Sequence, residues 1–240
     1  MYSFRDQRIV LLGGSSGIGL ATARLAAEND ASVVIVSRSQ GRVDAALAQL
    51  PSSAEGYVAD LSAEQATQEL FGQLGAFDHL IYTAGENLSL ARLDETDLDD
   101  ARGFFETRFW GAMSAVKSAQ GQIKPGGSIV LMSGSASARP QAGWSVAAAI
   151  CGAVEALTRA LAMELAPIRV NAVAPGVIRT DLWASIPDDA RAAMYAETGR
   201  ALLVGRVGEA EDVAKAILYL MADGYTTGTR LDVNGGAGLV

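Results

Sequence analysis

Short apolar runs separated by longer segments of helical periodicity constrain this chain more than any other feature of it. The runs are "RIVLLG" (8–13), "SVVIVS" (32–37), "EGYVA" (55–59), "DHLIYT" (78–83), "GSIVLMS" (127–133), "IRVNAVA" (168–174) and "TRLDVNGG" (229–236). They are rich in Val, Ile and Leu with little polar alternation, which marks strands buried on both faces, as in a parallel sheet. The segments between them, such as "GIGLATARLAAEND", "SAEQATQELFGQLG" and "EAEDVAKAILYLMADG", place apolar residues at helical spacing. This alternation predicts an α/β fold, a doubly wound sheet with helices on both faces. A chain of 240 residues suits one such domain, or at most two small ones, and half its residues are hydrophobic, enough for one large core. No repeat or linker divides it, so a single domain over 1–240 is expected.

The net charge of −8 argues against a nucleic-acid partner or an anionic membrane surface, since both call for a basic face. One cysteine, Cys151, excludes an intrachain disulfide and fits a reducing compartment. The N-terminal "MYSFRDQRIVLLGG" puts charges before a very short apolar run, unlike a signal peptide or a membrane span. A cytoplasmic protein with no membrane partner and no metal site is expected.

The first run leads into "GGSSGIG", where Gly13, Gly17 and Gly19 precede a helix. Glycine lets the chain turn tightly and lets a pyrophosphate approach the backbone. A helix starting near Gly17 then offers free N–H groups and its positive dipole end. A strand–helix turn could use these glycines without a ligand. Their place after the first strand of a βαβ unit favours a Rossmann-type dinucleotide site. The second run ends in "VSRSQ", so Ser37 and Arg38 stand where many NAD-binding folds put an acid against the ribose 2′-hydroxyl. Arg38 is suited to a 2′-phosphate, which favours NADP(H) over NAD(H). The competing reading is a solvated surface arginine. In "ADLS", Asp60 suits the adenine amino group, the N-cap of the next helix, or both.

These motifs together resemble the short-chain dehydrogenases/reductases, over essentially the whole chain and in order. "GGSSGIG", "ADLS", "YTAG" (82–85), "GSIVLMSGSAS", "AVEALTRALAMELAPIRVNAVAPGVIRTDL" and "TGTRLDVNGG" carry the likeness. The resemblance implies a seven-stranded parallel sheet, a nicotinamide cofactor and a homodimer or homotetramer, for which the apolar helices near 101–122 and 143–165 offer faces. It places cofactor contacts on Gly13, Ser15, Ser16, Gly17 and Ile18, then on Ser37, Arg38, Asp60 and Leu61. Further contacts would come from Ala84 and Gly85, and from Pro175, Gly176, Val177 and Thr180. Leu12 stands where the family commonly has threonine, and "YTAG" replaces its asparagine-containing turn. Segment 176–208 follows a strand end and is expected to cover the substrate.

The family protonates a carbonyl with a tyrosine, assisted by a lysine four residues later on the same helix face. A serine polarises the carbonyl and an asparagine supports a relay water. The alignment puts Ala147 at the tyrosine place, Cys151 at the lysine place and Arg108 at the asparagine place. No local shift restores the pair, because no tyrosine lies between Tyr82 and Tyr195 and no lysine between Lys124 and Lys215. Gly134 falls at or beside the serine place, leaving Ser133 and Ser135 as candidates, with a plain serine-rich turn as the other reading. Cys151 is expected to be a buried, inert thiol inside an apolar helix. His79, the only histidine, sits at the start of its strand and is discounted as a base. Tyr195 is a candidate substitute acid, Arg108 and Arg139 are candidate carbonyl or acid binders, and Trp144 is a candidate pocket wall. Three functions remain open: an NADP(H)-dependent oxidoreductase of a small carbonyl or alcohol with an altered site, a catalytically inactive NADP(H)-binding protein, or a scaffold that binds no nucleotide.

Overall fold

The computed structural model describes residues 2–85 and 90–240. Its strands are β1 (Arg8–Leu12), β2 (Ser32–Ser37), β3 (Glu55–Val58), β4 (Phe77–Tyr82), β5 (Ile123–Met132), β6 (Arg169–Pro175), β7 (Ile178–Arg179), β8 (Gly208–Glu209) and β9 (Arg230–Val233). The helices are α1 (Gly17–Glu28), α2 (Gln40–Leu47), α3 (Glu64–Leu74), α4 (Leu98–Phe105), α5 (Ala112–Ala119), α6 (Ser145–Glu164), α7 (Asp188–Ala201) and α8 (Ala210–Ala222). Seven strands form one sheet in the order β3-β2-β1-β4-β5-β6-β9, parallel throughout. These are the seven runs read from the sequence.

Alternation along β1 explains the layers. Val10 and Leu12 join Leu80, Leu131, Phe71, Val116 and Val154 on one face, under α3, α5 and α6. Ile9 and Leu11 join Val33, Ile35, Ala23, Val213 and Ile217 on the other, under α1 and α8. Successive side chains of a strand point to opposite faces, so a strand covered on both sides must be apolar at every position. β6 is buried at all its positions. Strand order reverses between β1 and β4, and the crevice outside the C-terminal strand ends at such a reversal is where open α/β sheets take ligands.

Two details differ from what the sequence implied. Asp60 is not the N-cap of α3. Ala63 holds that place, while Asp60 Oδ1 accepts from the N–H and hydroxyl of Ser62 at 3.0 and 2.7 Å. Three residues separate Asp60 from the helix, and a short side chain closes a local turn more readily than it spans them.

The segment read as one long helix is α4 and α5 joined by a π-helical stretch, Glu106–Gly111. The Tyr82 hydroxyl donates to the Thr107 carbonyl at 2.5 Å and draws it off the regular ladder. Segment 176–208 is mostly regular, with β7 pairing with β8 and α7 between them.

Finally, α6 is long and apolar enough to cross a bilayer by composition alone, yet it packs on β6. His79, at the far end of the sheet, is buried between Ser128 Oγ (2.8 Å) and Gln7 Oε1 (2.9 Å). Desolvation lowers its pKa to about 4.

Candidate functional site

A cavity of about 510 Å³ opens above the C-terminal strand ends, from the turn after β1 to the start of the segment after β6. The half beside α1 is made largely of backbone. Gly13 leaves β1 with φ +91°, and a methyl group there would lie 2.6 Å from the Ala84 nitrogen. At Gly19 a methyl group would lie 2.2 Å from the Gly13 carbonyl oxygen. The Thr83 hydroxyl lies 3.2 Å from the carbonyls of both Leu12 and Gly13, bracing the turn. Ser16 is the N-cap of α1 but makes no side-chain cap, so the first-turn N–H groups face the cavity without a side-chain acceptor. Thr180 stands over Gly17, where a methyl group would meet its Cγ2 at 3.3 Å.

At the edge of this half Ser15 Oγ donates to Ser37 Oγ at 3.0 Å. Arg38 and Arg42 line the same end, with Asp60 and Leu61 beside them. The Ser62 hydroxyl and N–H hold the Asp60 carboxyl below the usual carboxylate range, and Arg38 adds to this. Arg42 was not singled out in the sequence. Its signal was there, since it follows Arg38 by four residues at the opening of α2.

The other half is made of side chains. Ser133, Gly134, Ser135, Ala147, Cys151, Arg108 and Trp144 all line it, as do Pro175, Gly176 and Val177. Ile18, Ala84 and Gly85 line it as well, so every residue proposed for the cofactor, together with Ser133, Ser135, Ala147, Cys151 and Arg108, reaches this one cavity. A methyl group on Gly134 would lie 3.1 Å from the Cys151 sulfur. Cys151 is only partly buried and faces the cavity, where the sequence implied a thiol enclosed in its helix. Burial pushes the thiol pKa up, against smaller lowering effects from the Ser133 hydroxyl, Arg108 and Arg230. It is therefore a neutral thiol at neutral pH, as expected of an inert one.

The two candidate serines differ. Ser133 Oγ donates to Glu155 Oε1 at 2.8 Å, which also accepts from Ser137 Oγ at 2.5 Å and pairs with Arg230 Nε at 3.2 Å. Ser133 is thus tied to a carboxylate behind the cavity wall, while Ser135 opens a short 3₁₀ turn on the wall itself. Glu155 escaped the sequence reading. It follows Cys151 by one helical turn and reads there as an ordinary polar helix residue.

The cavity does not include Tyr195 or Arg139. Tyr195 is 7% exposed, with Arg179 stacked 4.5 Å from its ring centroid, so its ring is packed away from the cavity wall. Arg139 donates to the Ala237 carbonyl at 3.1 Å and braces the C-terminal segment. Of the covering segment 176–208, the part up to Ala184 lines the cavity and α7 does not. Trp183, unremarked in the sequence, does, with its indole N–H donated to the Ile178 carbonyl at 3.0 Å.

With this geometry in place, comparison with known proteins is informative. The family model described as enoyl-(acyl carrier protein) reductase matches residues 13–238. The short-chain dehydrogenase/reductase ATR9 of Stachybotrys chlorohalonatus is 38% identical over 255 residues, covering 99% of each chain. The crystal structure of a small-chain dehydrogenase in complex with NADPH is 40% identical, with a TM-score of 0.88 over 98% of this chain and 99% of that one. The MalC reductase/Diels-Alderase of Malbranchea aurantiaca is 29% identical, with a TM-score of 0.91 over 99% of this chain and 98% of that one. Motifs, strand order and these likenesses agree: the chain belongs to the short-chain dehydrogenase/reductase family.

Proposed function

We propose that this protein is an NADP(H)-dependent oxidoreductase of a small carbonyl or alcohol substrate, with a non-standard active site. One observation carries the reading. A single cavity joins the side-chain-uncapped N-terminus of α1 and the Arg38–Arg42 pair to the wall formed by Arg108, Ala147 and Cys151. The residues fit the cofactor. The first turn of α1 offers N–H groups to a diphosphate, and the two arginines suit a 2′-phosphate better than a bare hydroxyl. Asp60 and Leu61 suit adenine, while Pro175, Gly176, Val177 and Thr180 suit the nicotinamide end. The NADPH complex of the 40% identical dehydrogenase supports the same cofactor. When bound, the dinucleotide supplies the redox chemistry. The chain's part is to orient the substrate, exclude water and stabilise charge.

In this reading Ala147, Cys151 and Arg108 stand at the family's tyrosine, lysine and asparagine places, and Gly134 stands at or beside its serine place, with Ser133 and Ser135 as the candidate serines. A missing general acid costs about 10²–10⁴ in rate, which proximity alone partly offsets. A homodimer or homotetramer formed through the exposed faces of α4–α5 and α6, in the cytoplasm, completes the proposal. The second reading is an NADP(H)-binding protein without turnover. It is favoured by the Ser133–Glu155 contact, which turns a candidate serine away from substrate. MalC's two activities support the enzyme reading, since the fold carries more than one chemistry. NADPH oxidation against a broad panel of carbonyls and activated alkenes separates the two. Turnover on any of them establishes the oxidoreductase, tight NADPH binding with none favours the binder, and a flat NADPH fluorescence titration removes both.

A further inference from the structure

Behind the side-chain half of the cavity lies a polar junction that the proposed function leaves unused. The wall in front of it is the turn 133–137, between β5 and α6. Ser133, Gly134, Ser135 and Ala136 line the cavity, and Ser137 does not. A turn of serine, glycine and alanine buries little apolar surface, so it needs another anchor to hold one shape.

Glu155 supplies that anchor from α6. Its Oε1 accepts from the Ser133 hydroxyl at 2.8 Å and from the Ser137 hydroxyl at 2.5 Å, so both ends of the turn meet at one atom. Each hydroxyl has a second contact at 3.3 Å, Ser133 to the Cys151 carbonyl and Ser137 to the Gly134 carbonyl. The contacts to the carboxylate are shorter, and hydrogen bonds to an ionised acceptor are roughly twice as strong as neutral ones. Arg230 Nε lies 3.2 Å from the same oxygen, as an ion pair and not as an aligned hydrogen bond. The Glu155 and Arg230 side chains are only 12% and 20% exposed, so solvent screens the pair weakly.

The junction reaches further through β9. Arg230 also donates to Asp232 at 2.5 Å, and β9 then runs to Val233, which pairs with Pro175. A methyl group on Gly176 would lie 3.0 Å from the Asn234 Cα. Glu155 thus connects the turn 133–137 to the strand that backs Pro175 and Gly176, two walls of the same end of the cavity. Between its pinned ends the turn lays Gly134 against the Cys151 sulfur, where a methyl group would stand 3.1 Å away.

We propose that Glu155 is a positioning residue: it pins both ends of the turn 133–137 to α6 and so fixes the wall against which the nicotinamide end of the cofactor is seated. The proposal rests on the NADP(H)-binding reading for the cofactor, and on the contacts of Glu155 alone for the pinned turn.

Cys151 is the only cysteine of the chain, so its alkylation by iodoacetamide reports directly on the turn that shields it. In Glu155→Ala that reaction is expected to run about tenfold faster than in the wild type, because labelling follows local opening and about one charge-assisted bond is lost at each end. NADPH binding is expected to weaken about tenfold by the same loss, while binding of adenosine 2′,5′-bisphosphate, which lacks the nicotinamide end, is unchanged. Glu155→Gln keeps an acceptor oxygen and is expected to recover most of both effects. Ser137→Ala leaves the cavity lining untouched and is expected to move labelling and NADPH affinity in the same direction by less. Where circular dichroism shows Glu155→Ala unfolded, Ser137→Ala carries the same three measurements. Unchanged Cys151 labelling, equal loss of both ligands, or a Glu155→Gln variant no closer to wild type than Glu155→Ala overturns the proposal. A wild type that binds neither ligand removes the NADP(H) reading and the cofactor seat with it, while faster labelling in Glu155→Ala would still establish the pinned turn.

Discussion

The two halves of the cavity are built from different materials. The half beside α1 is backbone: a positive-φ glycine, a second glycine against its carbonyl, and a helix end without a side-chain cap. The half beside α6 is side chain: Arg108, Cys151, Ala147 and the serines after β5. Backbone recognition demands the few residues that permit the geometry, and a Cβ at Gly13 or Gly19 would collide with neighbouring backbone. Side-chain chemistry can be exchanged while the scaffold stays, because α6 is held by Ile150, Val154 and Leu161 on its sheet-facing side. The half beside α1 is therefore fixed by sterics, while the half beside α6 is free to vary on the same scaffold.

The largest test of this contrast is Gly13→Ala. The position combines φ +91° with an approach of 2.6 Å to the Ala84 nitrogen. Backbone strain of this kind costs on the order of 1–3 kcal/mol before any clash is counted. NADPH affinity is expected to fall by about 100-fold, or the protein to lose its fold, as read by fluorescence titration and thermal melting. Affinity within a few-fold of wild type would mean that backbone geometry is not what shapes this half.

Arg38→Asp comes next. Loss of a charge-assisted contact is expected to weaken NADPH binding by about 10–100-fold, in line with about 1.5–3 kcal/mol for such bonds, while NADH binding changes little. An equal loss for both would mark Arg38 as a surface charge. Arg42 would hold part of the affinity, and removing both arginines sharpens the test.

A smaller effect is expected at Cys151. Its pKa is raised, chiefly by burial, so the thiol is protonated at neutral pH and gains thiolate only as pH climbs past the ordinary thiol range. Alkylation by iodoacetamide at pH 7 should run slower than that of a small free thiol. It should accelerate by about tenfold per pH unit on the way up and slow further when NADPH covers the wall. A rapid reaction at pH 7 would show an activated thiolate and undo the picture of Cys151 as an inert wall residue.

The fold was largely legible because it depends on patterns that repeat along the chain. Every strand of the main sheet announced itself as an apolar run, and β2 kept the boundaries 32–37. The glycine turn was legible for the same reason, since a steric requirement leaves a residue type behind. Contacts between side chains distant in sequence leave no such trace. Nothing in "AVEAL" says that Glu155 reaches Ser133 and Arg230. Tyr195 looked available in sequence and is packed under Arg179. The long helix hid its π turn because the cause, the Tyr82 hydroxyl at Thr107, lies on another strand. Asp60 misled because N-cap chemistry and local turn chemistry use the same residue types.

The smallest expected effect is also the sharpest test of the α6 half. The double substitution Ala147→Tyr with Cys151→Lys installs a tyrosine and a lysine four residues apart on one helix face. It is expected to leave reduction of simple ketones at the wild-type level. Ala147 is 5% exposed, so the new ring must find room in the wall. The new ammonium would share the wall with Arg108, and like charges disfavour each other in a poorly solvated site. Gly134 still offers no hydroxyl there, and Ser133 remains bound to Glu155. Adding Gly134→Ser and Arg108→Asn supplies the hydroxyl and removes the competing charge, and that fourfold variant is the one expected to gain about 10²–10⁴ in rate, the usual worth of a positioned acid. NADPH oxidation with cyclohexanone as acceptor measures both variants. Full recovery in the double variant alone would mean that Arg108 and Gly134 are bystanders, and that the two halves of the cavity differ by two residues and not in kind.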